Sequence, residues 1–172
     1  MASYKDYNPR KNDDFFTTET LWKQISKYIP KNKIVSMPFY SPYSKCNELL
    51  GRYIDNEIIY QDEDFFEYDR GEIVCDNPPF SNKKNILHKL VQRNKPFMLI
   101  LPISTLCYKY FRELFKSTND ELQLLIPSKR PNYIFCNPNT GETILKNKSS
   151  PFDSFICCWK MKIEGTQIIF ME

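Results

Sequence analysis

The sequence has few of the residues that build metal sites and disulfide frameworks. It contains one histidine, His88, and its six cysteines form no Cys-x-x-Cys pair. Structural zinc needs clustered thiolates and imidazoles, and disulfide scaffolds need paired cysteines in a short secreted chain. We therefore expect no metal and no disulfide framework. Several cysteines stand in apolar runs and are predicted to be reduced core residues of a cytosolic or nuclear protein.

Long apolar runs and a secretory leader are also missing. No run approaches the length that spans a membrane, and the first residues do not have the pattern of a signal peptide. We expect no membrane partner. The length of 172 residues suits one domain, and the net charge of +3 is weak support for a polyanionic partner. The many Lys, Asn, Ile and Tyr residues fit an AT-rich genome, such as a viral one.

Strand and helix patterns alternate along most of the chain. Residues 1–14 are polar and are expected to form a flexible arm, and residues 15–172 to form one domain. Apolar runs predict strands at 33–37, 57–60, 73–75, 95–102 and 122–126, and helical spacing predicts helices at 21–29, 49–53, 86–91 and 105–116. Strands at 152–163 and 166–170 are expected to pair as a C-terminal antiparallel hairpin. The order predicts an α/β fold with a doubly wound, mostly parallel sheet.

The stretch Asn77-Pro78-Pro79-Phe80 follows the apolar run Ile73–Cys75. Neither proline can continue a sheet, so the chain must turn out at the carboxyl end of a strand, where open α/β sheets bind ligands. The Asn77 side-chain oxygen and the Pro78 carbonyl can accept hydrogen bonds from an amine on an aromatic ring. Phe80 can stack on such a ring. A Pro-Pro turn with Phe80 as a core anchor is the structural alternative.

The same tetrapeptide resembles the (Asp/Asn/Ser)-Pro-Pro-(Tyr/Phe/Trp) motif of S-adenosylmethionine-dependent amino-methyltransferases, chiefly adenine-N6 enzymes of the compact phage and viral type. The resemblance covers roughly residues 15–161. It implies a Rossmann-like class I methyltransferase fold and S-adenosylmethionine as cofactor. It also implies catalytic roles for Asn77, Pro78, Pro79 and Phe80, with Asn77 touching the cofactor as well.

Two further segments resemble family elements that contact the cofactor. Phe16 and Thr17 belong to an aromatic-Thr segment before the first predicted helix, which in the family touches the methionine end. The alternative there is a Thr cap beside aromatic core residues. Pro38-Phe39-Tyr40-Ser41 resembles the start of the family's glycine-rich turn between strand and helix. Ser41 and Tyr43 stand where the family has small residues, and this departure favours a chain that binds no cofactor.

The acidic segment after the second predicted strand resembles the part of the family that holds the cofactor's ribose and adenine. Asp64-Phe65 is similar to an Asp-Phe pair that holds the adenine amine and packs on its ring. Asp62 is a candidate for the ribose hydroxyls. The segment is short, so the roles of Asp62, Glu63 and Asp64 stay open. A solvated acidic loop is the alternative.

Basic residues near the predicted catalytic turn are candidates for phosphate contacts. Lys83 and Lys84 follow Phe80 closely. Lys129 and Arg130 belong to a basic-polar-aromatic stretch, 128–135, that resembles one near the substrate in viral and phage enzymes. Exposed loops with ordinary charges are the alternative. Residues 137–150 are expected to form a polar loop.

These features predict methyl transfer to the N6 amine of adenine in nucleic acid, with DNA favoured over RNA. A base inside a duplex would have to flip out of the helix to reach Asn77. The chain has no room for a separate target-recognition domain, so loops or a partner subunit would supply any specificity. Three alternatives stay open: an inactive methyltransferase-fold subunit that binds nucleic acid or a partner, an RNA adenine enzyme, and a protein glutamine N-methyltransferase.

Overall fold

The fold was analysed in a computed structural model that describes residues 15–39, 41, 43–60, 63–137, 140–145 and 152–172. Its four helices are α1 (Glu19–Ser26), α2 (Cys46–Gly51), α3 (Lys83–Gln92) and α4 (Lys109–Phe115). Its strands are β1 (Phe15–Thr17), β2 (Val35–Ser36), β3 (Ile58–Ile59), β4 (Ile73–Asp76), β5 (Phe97–Pro102), β6 (Leu122–Ile126), β7 (Tyr133–Cys136), β8 (Thr143–Leu145), β9 (Ser154–Trp159) and β10 (Ile168–Phe170). The predicted arm at 1–14 lies outside the described residues.

Seven strands form one sheet in the order β10-β6-β9-β5-β4-β2-β3. All neighbours are parallel except β9, which is antiparallel to both β5 and β6. Every residue of β4 and β5 is buried, because these central strands are covered on both faces. The predicted α/β class with a mostly parallel sheet is confirmed.

The hydrophobic core is divided between the two faces of this sheet. In β4, Ile73 and Cys75 point to the cluster that contains the buried side of α1 and α2, whereas Val74 points to the cluster that contains α3 and α4. Successive residues of a strand face opposite sides, so one short apolar run serves both layers. Helices on both faces are what the predicted doubly wound fold requires.

The predicted C-terminal hairpin is wrong. β10 pairs in parallel with β6, where Ile168 lies opposite Leu124. Both edges of β9 are already occupied by β5 and β6, so β10 has no place beside it. The Gln123 side chain directs the chain to the outer edge of β6, since it accepts a hydrogen bond from the Ile163 N–H (2.9 Å) and donates one to the Ile163 carbonyl (2.8 Å).

A second, smaller sheet of order β1-β7-β8 was not predicted. β1 is antiparallel to β7, with Phe15 opposite Phe135, and β7 is antiparallel to β8. The stretch 128–135, for which an exposed loop was the alternative, and the stretch 137–150, expected to be a polar loop, therefore contain strands. The run of β-branched and aromatic residues Tyr133-Ile134-Phe135 was the available signal, but it is too short to stand out in the sequence.

Three predicted helices differ in detail from the observed ones. α1 ends at Ser26 and does not reach Ile29. Tyr53 lies beyond the end of α2 and is exposed, so it is not on the inner face as expected. The helix expected at 105–116 is broken at Tyr108, whose extended backbone separates a 3-10 turn, Ile103–Cys107, from α4. Because of this break, Tyr108 does not continue a helical face.

The described cysteines mostly behave as core residues. Cys46, Cys75, Cys157 and Cys158 are buried with free thiols, and Cys107 is exposed. Within the described ranges, no group of three or more His, Cys, Asp and Glu side chains is arranged to hold a metal ion. In the same ranges no helix has the length and apolar character needed to cross a membrane.

Candidate active site

The tetrapeptide Asn77-Pro78-Pro79-Phe80 lies at the carboxyl end of β4, as predicted. The chain leaves the sheet after Asp76, and a 3-10 turn, Phe80–Asn82, leads into α3. Because β2, β3, β4 and β5 are parallel, their carboxyl ends share one edge of the sheet. This edge is the place where ligands bind in open α/β folds.

A buried carboxylate, Asp76, joins two of the turns at this edge. Its side chain is inaccessible to solvent, with 2% relative exposure. Oδ2 accepts a hydrogen bond from the Phe39 N–H and Oδ1 accepts one from the Asn77 N–H, both at 2.8 Å. Burial raises the pKa of Asp76 to about 7, although the two N–H groups act in the opposite direction. Asp76 was given no role in the sequence analysis. The feature that could have identified it is the position of an acidic residue directly after the apolar run Ile73–Cys75.

The Asn77 side chain is held in one orientation by β1. Its Nδ2 donates to the Phe15 carbonyl at 3.2 Å. A carbonyl oxygen only accepts hydrogen bonds, so the amide nitrogen must be the atom that faces Phe15. Oδ1 is then the opposite end of the amide, and it is buried without a hydrogen-bond partner among the residues the structure describes.

A second buried polar atom without a described partner lies on the same strand. The Thr17 hydroxyl, two residues beyond Phe15 in β1, is completely covered yet makes no hydrogen bond within the described part of the chain. Buried polar groups in proteins are nearly always paired. Thr17 Oγ1 and Asn77 Oδ1 therefore mark this region as one suited to a polar ligand.

Phe80 belongs to an aromatic cluster centred on Phe152. The two rings meet edge to face at 5.0 Å, and Phe152 also contacts Phe15 (5.4 Å) and Tyr133 (5.3 Å). Only 7% of Phe80 is exposed. Phe80 thus has little exposed surface, and a base could stack on it only after a rearrangement of its neighbours. Sequence analysis missed Phe152 because its partners come from three distant segments.

The structure brings Asp64 and Phe65 together with the turn after β2. Phe39 and Phe65 are both buried, and their ring centroids are 5.0 Å apart. A cleft on this side of the sheet is lined by Ser36, Pro38, Ile59, Asp64, Phe65 and Arg93, among others. Asp64 uses Oδ1 to accept the Phe66 N–H at 2.8 Å. The predicted Pro38 and Asp64-Phe65 segments thus line one cleft.

Arg93 from the end of α3 fixes the position of Phe65. Its guanidinium lies 5.2 Å from the centre of the Phe65 ring and donates to the carbonyls of Phe65 (2.8 Å) and Phe66 (3.1 Å). A planar cation that both stacks and donates holds a loop more rigidly than either contact alone. Arg93 is a residue of this region that sequence analysis did not single out.

The turn that departs from the family's glycine-rich pattern packs against the small sheet. The Tyr43 ring occupies the space where a side chain at Gly141 would be, since a Cβ there would lie 2.4 Å from the ring. Gly141 also has a left-handed backbone, with φ +71°. The two segments can therefore approach closely because Gly141, in the connection between β7 and β8, has no side chain opposite the Tyr43 ring. Ser41 is half-buried, and its carbonyl accepts the Ser44 N–H at 3.1 Å.

The remaining predicted cofactor residues are distributed as follows. Phe16 is half-buried in β1, next to buried Thr17, and pairs with Ile134 of β7. Tyr40 and Asp62 lie outside the described residues.

The predicted basic residues lie in two places. Lys83 donates to the Phe80 carbonyl at 3.0 Å, and Lys84 is exposed beside it in α3. Lys129 is exposed after β6. Arg130 pairs with Asp153 at 2.6 Å, and Asp153 adjoins the Phe152 that contacts Phe80. Both groups therefore lie near the aromatic cluster.

Comparison with known proteins establishes the fold. No protein-family model matches the chain, and no curated protein matches it significantly. Among solved structures, a protein from Listeria monocytogenes, provisionally described as a class I S-adenosylmethionine-dependent methyltransferase, aligns with a TM-score of 0.54 and 8% identity. The alignment covers 96% of this chain and 68% of that one. At this identity the likeness concerns the fold alone, and it confirms the predicted Rossmann-like α/β fold.

The raised pKa of Asp76 predicts a particular pH dependence of stability. A carboxyl whose pKa rises from 3.8 to about 7 on folding stabilises the fold below the lower value and loses that contribution as the pH rises through the higher one. Relative to Asp76→Asn, the natural chain should lose roughly 2–4 kcal/mol of unfolding free energy between about pH 4 and pH 8. Urea unfolding at several pH values measures this difference. The exposed control Asp55→Asn should follow the natural chain, and parallel curves for Asp76→Asn would show that Asp76 titrates normally.

The contact between Tyr43 and Gly141 predicts a steric coupling. Gly141→Ala should lower the free energy of unfolding by about 1–3 kcal/mol, because it adds both a left-handed non-glycine residue and a clash with the Tyr43 ring. Gly165→Ala is a control for backbone strain without a clash, since Gly165 has a positive φ of +124° and its nearest neighbour would be an ordinary 3.6 Å away. The excess loss at Gly141 should disappear in the double variant Tyr43→Ala/Gly141→Ala. Additive effects in the double-mutant cycle would contradict the coupling.

Proposed function

We propose that this chain is an S-adenosylmethionine-dependent methyltransferase that acts on the N6 amine of adenine in nucleic acid, with DNA as the favoured substrate. The observation that carries the proposal is the orientation of the Asn77 amide. Its nitrogen is bound to the Phe15 carbonyl, and its oxygen is buried at the ligand edge of the sheet without a described partner. This is an acceptor held ready for an N–H donor.

An acceptor of this kind suits an aromatic amine. Such an amine is a poor nucleophile because its lone pair is delocalised into the ring. Hydrogen bonds from its NH2 group to Asn77 Oδ1 and to the Pro78 carbonyl would draw electron density onto the nitrogen and orient the lone pair. The two prolines restrict the backbone, so the acceptors keep their spacing. The amine can lose its proton late, and no general base is needed at the start.

The residues present fit the proposed cofactor. Thr17 Oγ1 is a buried polar atom without a described partner, and Pro38, Asp64 and Phe65 supply polar and aromatic groups that an adenosine would contact once the narrow cleft between them widens. Asp64 Oδ1 accepts a hydrogen bond from the Phe66 N–H. We therefore assign Oδ2 as the acceptor for the amine of the cofactor's adenine. When bound, S-adenosylmethionine supplies a methyl group on a positively charged sulfur.

In the proposed enzyme, the aromatic cluster around Phe152 controls access of the target base to Phe80. We assign Phe80 to stacking on the base, with the Phe152 ring turned aside when the base arrives. Phe152 adjoins Asp153, which pairs with Arg130. A phosphate that binds Arg130 would compete with Asp153 and loosen Phe152. Substrate binding and exposure of Phe80 would then be coupled. Lys83, Lys84 and Lys129 would supply further phosphate contacts, and a partner subunit would supply target recognition.

A second candidate is a methyltransferase fold that binds nucleic acid or a partner without catalysis. Two observations favour it: Phe80 is buried against Phe152, and the bulky Tyr43 stands where the family has a small residue. Calorimetry with S-adenosylmethionine separates the two candidates. Transfer of a labelled methyl group to mixed DNA, RNA and protein separates the DNA enzyme from the RNA adenine and protein glutamine alternatives.

Asn77→Ala tests the catalytic assignment. The substitution removes one acceptor for the target amine, so methyl transfer should fall by at least about a hundredfold, roughly 2.7 kcal/mol, while cofactor affinity changes less. Single-turnover transfer of labelled methyl measures the first effect and calorimetry the second. Asn85→Ala, an exposed amide in α3, is the matched control and should leave transfer unchanged. Near-normal turnover of Asn77→Ala would overturn the assignment.

Asp64→Ala tests the cofactor cleft. Loss of a charged acceptor should weaken binding of S-adenosylmethionine by about 1.5–3 kcal/mol in a calorimetric titration. Glu67→Ala removes an exposed carboxylate from the same turn and should have little effect. Asp64→Asn keeps an acceptor for the Phe66 N–H and should therefore retain the fold while losing affinity. An unchanged dissociation constant for Asp64→Ala would assign the adenine amine to another acidic residue of this segment.

A further inference from the structure

Two tyrosines lie stacked beside the candidate catalytic turn. The Tyr108 and Tyr110 ring centroids are 5.5 Å apart and the ring planes differ by 16°. They follow the 3-10 turn after β5, whose carboxyl end lies at the same edge of the sheet as Asn77. Tyr108 is 45% exposed, whereas Tyr110 is half-buried and burial raises its pKa to about 12. Tyr110 is thus the supporting layer and Tyr108 the outer one.

Each of these rings has a lysine over it. Lys83 Nζ lies 5.3 Å from the centre of the Tyr108 ring, and Lys84 Nζ lies 5.9 Å from the centre of the Tyr110 ring. Lys83 also donates to the Phe80 carbonyl at 3.0 Å. The pair of rings is therefore connected to the catalytic turn through one side chain. Two flat rings with two ammonium groups combine a surface for bases with a surface for phosphates.

The position of Tyr108 results from the break before α4. Its extended backbone, with φ −78° and ψ 139°, separates the 3-10 turn from the helix, so Tyr108 does not continue a helical face. A tyrosine that served the core would be expected to bury its ring, and Phe111 and Phe115 of the same helix do so. The ring of Tyr108 contributes little to the core and is available to a ligand.

We infer that Tyr108, supported by Tyr110 and flanked by Lys83 and Lys84, is a stacking platform for an unpaired base of single-stranded nucleic acid, next to the target base. This inference deepens the proposed function and rests on it for the identity of the neighbouring base. Any base can stack on an aromatic ring, so the platform would tolerate all sequences. A base within a duplex has both faces covered by its neighbours, so the platform selects unpaired strands.

Binding at the platform requires Lys83 Nζ to leave the face of the Tyr108 ring. A lysine ammonium on a flexible stem is easily displaced from a ring face, and it would move to the phosphate beside the incoming base. The lysines then hold the backbone while Tyr108 holds the base. This division of roles is the one found where phosphate contacts position a strand and stacking supplies further affinity.

The test uses the full chain and an oligonucleotide without adenine. Fluorescence anisotropy with labelled single-stranded oligothymidylate reports single-strand binding without a target base, and the Tyr108 variants isolate the share contributed by the platform. Tyr108→Ala should weaken binding by about 5- to 100-fold, the loss expected for one stacked base. Tyr108→Phe keeps the ring and should bind within about twofold of the natural chain. Oligouridylate should show the same pattern, since stacking does not read the sugar.

Two controls separate stacking from general damage. Tyr53→Ala removes another exposed tyrosine with a lysine near its ring, Lys23 at 5.8 Å, and should leave binding unchanged. Binding to a duplex of the same length should be affected little by Tyr108→Ala. Equal losses for Tyr53→Ala or for Tyr108→Phe, an equal loss on duplex, or no loss for Tyr108→Ala would each overturn the platform, as would a natural chain that does not bind oligothymidylate.

The outcomes of this test can be distinguished from a failure of the proposed function. Asn77→Ala should keep its affinity for oligothymidylate even though methyl transfer is lost. Specific loss of single-strand binding in Tyr108→Ala supports the platform whether or not any methyl transfer is found. Methyl transfer by a chain whose Tyr108→Ala variant binds oligothymidylate normally would support the enzyme and overturn the platform.

Discussion

The Asp76 carboxylate, which accepts one backbone N–H from each of two turns, is the constraint on which the candidate site depends. Phe39 follows β2 and Asn77 follows β4, and the N–H groups of both residues donate to Asp76. A single side chain with two acceptor oxygens sets their separation. Because the group is buried, it acts with little competition from water, and burial also makes its charge costly at neutral pH. The proposed cofactor cleft and the proposed catalytic amide are thus positioned by the same residue.

The small sheet completes the site from the other side. Phe15 in β1 orients the Asn77 amide, and Tyr133 in β7 packs on Phe152, whose ring meets that of Phe80. The Tyr133 hydroxyl is bound to Ser154 Oγ at 2.5 Å, which ties the small sheet to the large one. Rigid neighbours of this kind are what holds a functional group within a narrow range of positions. The large sheet provides the edge, and the small sheet provides orientation and cover.

The parts of the fold predicted correctly from the sequence are those governed by local pattern. An apolar run such as Ile73–Cys75 identifies a strand, and Pro78 and Pro79 identify its end. Neither inference needs knowledge of the rest of the chain. The parts missed depend on contacts between distant segments. β10 was placed wrongly because the occupancy of both edges of β9 is not visible in β9 itself. Phe152, Arg93 and Asp76 were missed for the same reason, since their partners are far away in the chain or are backbone N–H groups.

The way the site is assembled has a consequence for the folding of the chain. Phe15 contacts Phe135 and Phe152, and β9 must insert between β5 and β6 before the large sheet is continuous. Contacts between such distant segments form slowly, because closing a long loop costs conformational entropy before the strand pairing can stabilise the fold. A nascent chain that has emerged only as far as α4 holds every residue of the tetrapeptide but lacks Phe152, which packs on Phe80, and Tyr133, which packs on Phe152. The complete site therefore arises at a late step of folding, after most of the chain has been synthesised.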